Sequence, residues 1–336
     1  TMTLLSTGDH TFTGRSIALA EELAQRAALA ARNARQYTQR VTLAHDLQAG
    51  LLLPELPQVP GADIATYYHP AGEGLDVGGD FYDVFPLDDG QWAFLLGDVC
   101  GRGALAATTT ALVRHTARAV APLLPGPEAV VNAINRALIN RPAGHGTGFV
   151  TLVYGQLNPT THGLDIELVR AGHNPPLHLD TDHTDHPLDS PGLLLGITTE
   201  PRVTTHHLRL RPHESLLLYT DGITEARDTH GQQFGEERLA QALTGTPHQP
   251  GAHDIIDVLT RAVRTFTGGH DIDDDQALLV LTATPPSPPP AAPPTDGLAH
   301  SHASAVADLG APVLGRPTPA APFPHRPDSA RPSAVK

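Results

Sequence analysis

The residues able to do chemistry in this chain are aspartates placed at the ends of apolar runs. Gly78-Gly79-Asp80-Phe81-Tyr82-Asp83 carries an acid out of a diglycine turn into an aromatic run. Trp92-Ala93-Phe94-Leu95-Leu96 stops at Gly97, and Asp98 opens the segment Asp98-Val99-Cys100-Gly101-Arg102-Gly103. Between them, Asp88-Asp89-Gly90 has the composition of a hairpin turn, so two adjacent strands are expected to bring Asp80 and Asp98 onto one piece of sheet. Ser215-Leu216-Leu217-Leu218-Tyr219-Thr220 repeats the layout and ends at Asp221-Gly222. Asp271-Ile272-Asp273-Asp274-Asp275 leads into a fourth apolar run, Ala277-Leu278-Leu279-Val280-Leu281. Carboxylates beside open glycine backbone suit a hard divalent cation, which prefers oxygen ligands. Taken singly, each acid reads as a strand end at solvent. Four together are far more specific.

Other chemistries fit less well. A thiolate phosphatase built on Cys100 would need an arginine at position 106, where Ala106 stands. A calcium loop starting at Asp271 would need Gly at 276 and Glu at 282, where Gln276 and Thr282 stand. An aspartyl-phosphate nucleophile normally follows its strand, whereas here the acids precede it. His173, in Ala171-Gly172-His173-Asn174-Pro175-Pro176, has the pKa range of a general acid. The same stretch reads more simply as a tight turn whose polar side chains bond their own backbone. Arg102 offers forked donors to a phosphate, or merely points outward from its turn.

The positioning elements follow from pattern. From about Ser16 to Leu53 there is no proline, the only glycine is Gly50, and small or apolar residues recur at Leu23, Ala27, Ala30, Ala34, Tyr37, Val41, Ala44 and Leu51. This predicts a coiled-coil seam on a helix about 55 Å long, acting as a dimerising linker. Pro54, Pro57 and Pro60 end it. Ala62 to Tyr68 alternates as a strand and is expected to begin the sheet that carries Asp80 and Asp98. Helices are expected over 104–121, 127–139, 236–243 and 253–267. A hairpin over 149–169 turns around Asn158 to His162. Short strands are expected at 177–179 and 203–210, and a brief one at Thr3 to Ser6. Strands in two groups with two pairs of helices predict an α+β fold of packed sheets covered by helices.

Composition excludes several classes. The chain has 336 residues and a formal net charge of −14, which argues against a surface for nucleic-acid phosphates. One cysteine permits no intrachain disulfide, and twenty scattered histidines show no zinc spacing. No apolar run approaches the roughly 18 residues that span a bilayer, so a cytoplasmic protein without a membrane partner is expected. The start at Thr1, in mid-pattern, reads as a fragment of something longer.

In order, Gly-Gly-Asp80-Phe-Tyr-Asp, Gly-Asp98-Val-Cys-Gly-Arg-Gly, Ala-Gly-His173-Asn-Pro-Pro, Tyr-Thr-Asp221-Gly and Asp274-Asp-Gln-Ala-Leu-Leu resemble the motifs of bacterial PP2C-like phosphatases of the SpoIIE/RsbU type. The resemblance covers roughly residues 60–282. It implies an α-β-β-α sandwich and two ions, Mn²⁺ or Mg²⁺, about 3.5–4 Å apart, activating a water. By the same resemblance Asp98 bridges both ions and the Val99 carbonyl adds a ligand. Asp221 and Asp274 hold one ion, and Asp80 holds the other directly or through water. Asp275 neighbours the last ligand, and counting back from Leu278-Leu279 favours Asp274 for that place. Where the family often has threonine, this chain has Ala277, which removes a hydroxyl from the support of the site. The implied substrate is phosphoserine or phosphothreonine on a protein of the anti-sigma-factor antagonist type, with a catalytically weak signalling module as the alternative. Thr3 to Tyr37 also resembles the tail of a GAF- or PAS-type sensory domain. The expected organisation is therefore a sensory tail and start of the linker helix (1–40), helix end and Pro-rich junction (41–59), phosphatase domain (60–283) and an unstructured Pro/Ala-rich tail (284–336).

Overall fold

Strand-forming runs with both faces apolar lie at the centre of the molecule. A computed structural model describes residues 13–51, 56–71, 78–141, 148–182, 184–189, 192–270 and 272–285, without the side chains of 39–51. One sheet runs β1 (Ala62–His69), β10 (Gln276–Ala283), β9 (Ser215–Tyr219), β6 (Leu177–Leu179), β7 (Asp185–Pro187). The other runs β2 (Asp80–Pro86), β3 (Trp92–Val99), β4 (Val150–Thr160), β5 (Gly163–Ala171), β8 (Thr205–Leu210). All the pairings are antiparallel.

The two-residue period of a strand sends alternate side chains to opposite faces, and that sorts the core into three layers. Phe94, Leu96, Val153 and Leu168 meet Leu216, Leu218, Leu279 and Leu281 between the sheets. Phe81, Leu95 and Leu152 face outward to α2 (Ala104–Val120) and α3 (Gly126–Ile139), packing against Val113, Val130 and Ile134. Leu217, Leu278 and Val280 face α5 (Gly235–Leu243) and α6 (Ala252–Thr267), through Leu239, Ile255 and Leu259. The result is the α-β-β-α sandwich that the sequence predicts. Every residue of β10 is buried, as a central strand with both faces covered requires.

Several expectations need correction. Strand β1 does not begin the sheet of Asp80 and Asp98; it pairs along its length with β10 in the opposite sheet. Strand β4 runs through Asn158, Pro159 and Thr160, so the hairpin turns over Thr161 and His162 alone, the last two residues of the expected turn. The three-residue strand β7 carries no pattern that announces it. The long helix is present as α1 (Gly14–Leu51), with Ile17, Leu19, Leu23, Leu29 and Tyr37 exposed along it. Residues 3–6 lie outside the described residues, as does the C-terminal unit 289–336. Among the described residues, no helix is long and apolar enough to cross a membrane.

One buried charge fixes the helix that follows Asp98. Asp83 on β2 is fully buried and accepts Arg114 Nε at 3.1 Å, Arg118 Nε at 2.8 Å and Arg118 Nη2 at 2.7 Å, both arginines from α2. The Arg118 guanidinium also lies 4.8 Å from the centre of the Phe85 ring. Removing either side of such a buried pair leaves an uncompensated charge, so the contact specifies where α2 sits on β2.

Candidate active site

The β2–β3 register sets Asp80 directly opposite Asp98. Directly opposed residues of an antiparallel pair project to the same face with their Cβ atoms about 4.5–5.5 Å apart. The pairing continues beyond the two acids, with Val99 N–H donating to the Gly79 carbonyl at 3.1 Å. Gly79 is required by close approach, because a Cβ there would run into the Val99 carbonyl oxygen and Asp98 Oδ1. Gly78 is required for the same reason, against Asp275 Oδ2 and the Tyr68 hydroxyl.

The opposite sheet supplies the other acids. Strand β9 ends at Tyr219, and after Thr220 the short helix α4 (Asp221–Thr224) opens on Asp221. The Thr220 hydroxyl donates to Asp80 Oδ2 at 2.6 Å and accepts the Ala277 N–H at 2.9 Å, which links the two sheets beneath the cluster. Asp274 and Asp275 precede β10 and behave differently. Asp275 is buried and accepts the backbone N–H groups of Ala71 at 2.8 Å and Gly79 at 2.7 Å, so it ties the turn before Asp80 to the turn before β10. Asp274 is exposed, and its Oδ1 accepts Arg102 Nη2 at 3.1 Å. Arg102 Nη2 also donates to the Asp273 carbonyl. Asp271 lies outside the described residues.

These acids feel one another. Burial, then the charges of Asp221, Asp274 and Asp275, raise the Asp98 pKa to about 7. Asp80 is raised well above the ordinary carboxylate range, chiefly by burial and then by Asp98, against the opposing effect of its Thr220 hydrogen bond. Asp221 is raised by burial, Asp274 and Glu225. Crowded carboxylates with raised pKa values mark a site short of positive charge. The donors are all oxygen, including the Val99 carbonyl beside Gly79, and that chemistry fits a hard divalent cation. Among the described residues no three His, Cys, Asp or Glu side chains form a ready-made ligand cage. The fit is therefore one of donor type and charge, spread over two sheets.

His173 does not bond its own backbone. It is buried, and its Nδ1 lies 2.7 Å from the Thr151 hydroxyl, Thr151 being the β4 residue opposite Asp98. Its ring is enclosed, and burial lowers its pKa to about 4. It is thus neutral near pH 7 and stands behind the acids as packing. Cys100 is exposed and free. Neither Thr220 nor the Thr151–His173 pair stands out from sequence, although Thr220 sits inside the Tyr-Thr-Asp-Gly segment.

A cleft of about 210 Å³ lies beside Asp274, lined by Gly222, Glu225, Ala226, Arg227, Ile272, Asp273 and Asp274. A larger one, about 580 Å³, is lined by β4, β5 and β8 residues with Gln91 and contains none of the clustered aspartates.

The fold is that of PP2C-type phosphatase domains. The sequence profile of the family Stage II sporulation protein E (SpoIIE) matches residues 88–284, more than half of the chain, and the chain belongs to that family. Protein IcfG of Synechocystis is 29% identical, over 63% of this chain and 36% of that protein. Phosphoserine phosphatase RsbU of Bacillus subtilis is 26% identical, over 57% of this chain and 55% of that protein. The chain thus spans about a third to a half of the length of these curated relatives. The PP2C phosphatase domain of SpoIIE from Bacillus subtilis, solved with a fragment of its regulatory domain, has the same fold. Its TM-score is 0.54 at 20% identity, over 66% of this chain and 63% of that one.

Proposed function

We propose that this chain is a divalent-cation-dependent protein serine/threonine phosphatase, acting on phosphoserine or phosphothreonine of a partner protein of the anti-sigma-factor antagonist type. The observation that carries the reading is the pair Asp80 and Asp98, opposed in register, with the Asp98 pKa raised to about 7 by burial and then by the charges of Asp221, Asp274 and Asp275. Asp80, Asp98, Asp221, Asp274 and the Val99 carbonyl would hold the cations, two per site, Mn²⁺ or Mg²⁺. When bound, such ions supply a water activated at neutral pH and neutralise phosphoryl charge.

The chain's own residues do the positioning. Thr220 fixes the orientation of Asp80 through its hydroxyl. Asp275 holds the Gly78-Gly79 turn in place with both oxygens engaged, and that supports Asp274, whose carboxylate is exposed, as the ligand of the two. The cleft beside Gly222 and Asp274 gives a phosphorylated side chain a route to the acids. The Thr220 hydroxyl also offers the support that Ala277 lacks, which weakens the case for an inactive signalling module. The name of RsbU, a phosphoserine phosphatase, supports the substrate class.

The proposal includes a homodimer through α1. Leu23 and Tyr37 of the expected seam are exposed in the single chain, together with Ile17, Leu19 and Leu29. Release of phosphate from a phosphoserine peptide, measured with Mn²⁺ and with chelator on metal-stripped protein, tests the reading. A metal-loaded protein that releases none would contradict it.

A further inference from the structure

We propose that Arg102 is the resident counter-ion of Asp274, and that it exchanges this carboxylate for the substrate's phosphoryl oxygens when a divalent cation takes Asp274. The inference rests on the functional reading above and adds a residue to it.

Among the described residues, Arg102 is the one Lys or Arg side chain recorded in hydrogen-bond or ion-pair contact with any of Asp80, Asp98, Asp221, Asp274 or Asp275. It reaches across from the segment after Asp98 to the segment before β10, where Nη2 meets both Asp274 Oδ1 and the Asp273 carbonyl. The two acidic segments are thereby bridged by a cation that belongs to the protein itself.

The bridge is built to be exchanged. Its partners are 48% and 55% exposed, and an ion pair this open to water is weak and screened by salt. Arginine does not lose its proton in proteins, so a rise in pH will not release it, whereas a competing cation at Asp274 will. Arg102 stands between Gly101 at φ 104° and Gly103 at φ 80°, and a Cβ at Gly101 would meet nothing within 4 Å. Glycines in that conformation let the segment turn without steric cost. Once released, the guanidinium carries a planar fork of donors that matches phosphate oxygens, and it remains beside Asp98. A residue that only braced the two segments would help cation binding. A counter-ion that must leave opposes it.

The two roles predict opposite signs, and Arg102→Gln and Arg102→Lys separate them. Mn²⁺ affinity is measured by calorimetric titration without substrate, and KM and kcat for p-nitrophenyl phosphate at saturating Mn²⁺. Arg102→Gln is expected to bind Mn²⁺ about two- to fivefold more tightly while KM rises about tenfold. Arg102→Lys, which keeps the charge, is expected to restore Mn²⁺ affinity to the wild-type value but only part of the KM. The Mn²⁺ difference between wild type and Arg102→Gln should narrow in 1 M NaCl. Unchanged or weaker Mn²⁺ binding by Arg102→Gln, or an unchanged KM, overturns the inference. If wild type binds Mn²⁺ and hydrolyses the ester, only the Arg102 role falls; if wild type does neither, the phosphatase reading falls with it.

Discussion

Thr220 donates its hydroxyl to Asp80 Oδ2 at 2.6 Å, joining residues 140 positions apart and on different sheets. The same oxygen accepts the Ala277 N–H at 2.9 Å, so its hydrogen is directed at the carboxylate. A carboxylate bonded in this way has one orientation, and partners of this kind matter to metal sites nearly as much as the ligands. Thr220→Val should lower Mn²⁺ affinity or turnover by about 10–100-fold, and Thr220→Ser should restore most of it. Equal losses in both variants would show that the hydroxyl is not the active feature.

The acids are crowded at the expense of the fold. Asp98→Asn and Asp221→Asn should each stop phosphate release while leaving the circular dichroism spectrum unchanged. Asp98→Asn should also raise the melting temperature of the metal-free protein, by roughly 2–4 °C for each kcal/mol of repulsion removed. Cys100→Ser should retain most activity, since the exposed thiol has no part in the chemistry. An inactive Cys100→Ser beside an active Asp98→Asn would invert the mechanism.

The pH dependence of metal-free stability has a definite sign. The folded protein holds the Asp98 proton up to about pH 7, whereas an ordinary aspartate, as in the unfolded chain, releases it near pH 3.8. Between those values the unfolded state binds fewer protons, so this group's contribution falls as pH rises and levels off above about 7. Melts at pH 5, 6, 7 and 8 should show wild type losing stability relative to Asp98→Asn as pH increases. Mn²⁺ should reverse the trend, because it needs the ionised carboxylates. A wild-type curve parallel to that of Asp98→Asn would remove the electrostatic account.

Much of this site is legible in the sequence because it is local. The Asp88-Asp89-Gly90 turn joins two neighbouring strands, and the structure pairs Asp80 with Asp98 across it. The Thr220 bond is not legible, since nothing near either residue encodes a contact between strands so distant in the chain. The sheet assignment of β1 fails for a related reason. Neighbouring strands usually pair, but β1 instead buries its outward Ala65 with Val280 of β10, against α6. His173 reads as a turn residue because its partner, the Thr151 hydroxyl, lies on another strand.

Asp274 and Asp275 should separate cleanly by experiment. Asp275→Ala strips the acceptors from two backbone N–H groups, at a cost of about 1–3 kcal/mol for each buried donor left unpaired. It should lower the melting temperature with or without metal. Asp274→Ala should leave the metal-free melting temperature nearly unchanged and weaken Mn²⁺ binding. The reverse pattern would make Asp275 the ligand.

Metal dependence of hydrolysis is the most direct measurement. Protein stripped of metal should release no phosphate from p-nitrophenyl phosphate or from a phosphoserine peptide in excess EDTA, and Mn²⁺ or Mg²⁺ should restore release from both. Asp98→Asn should stay silent under every condition. Undiminished hydrolysis by the stripped wild-type protein in EDTA would contradict the account.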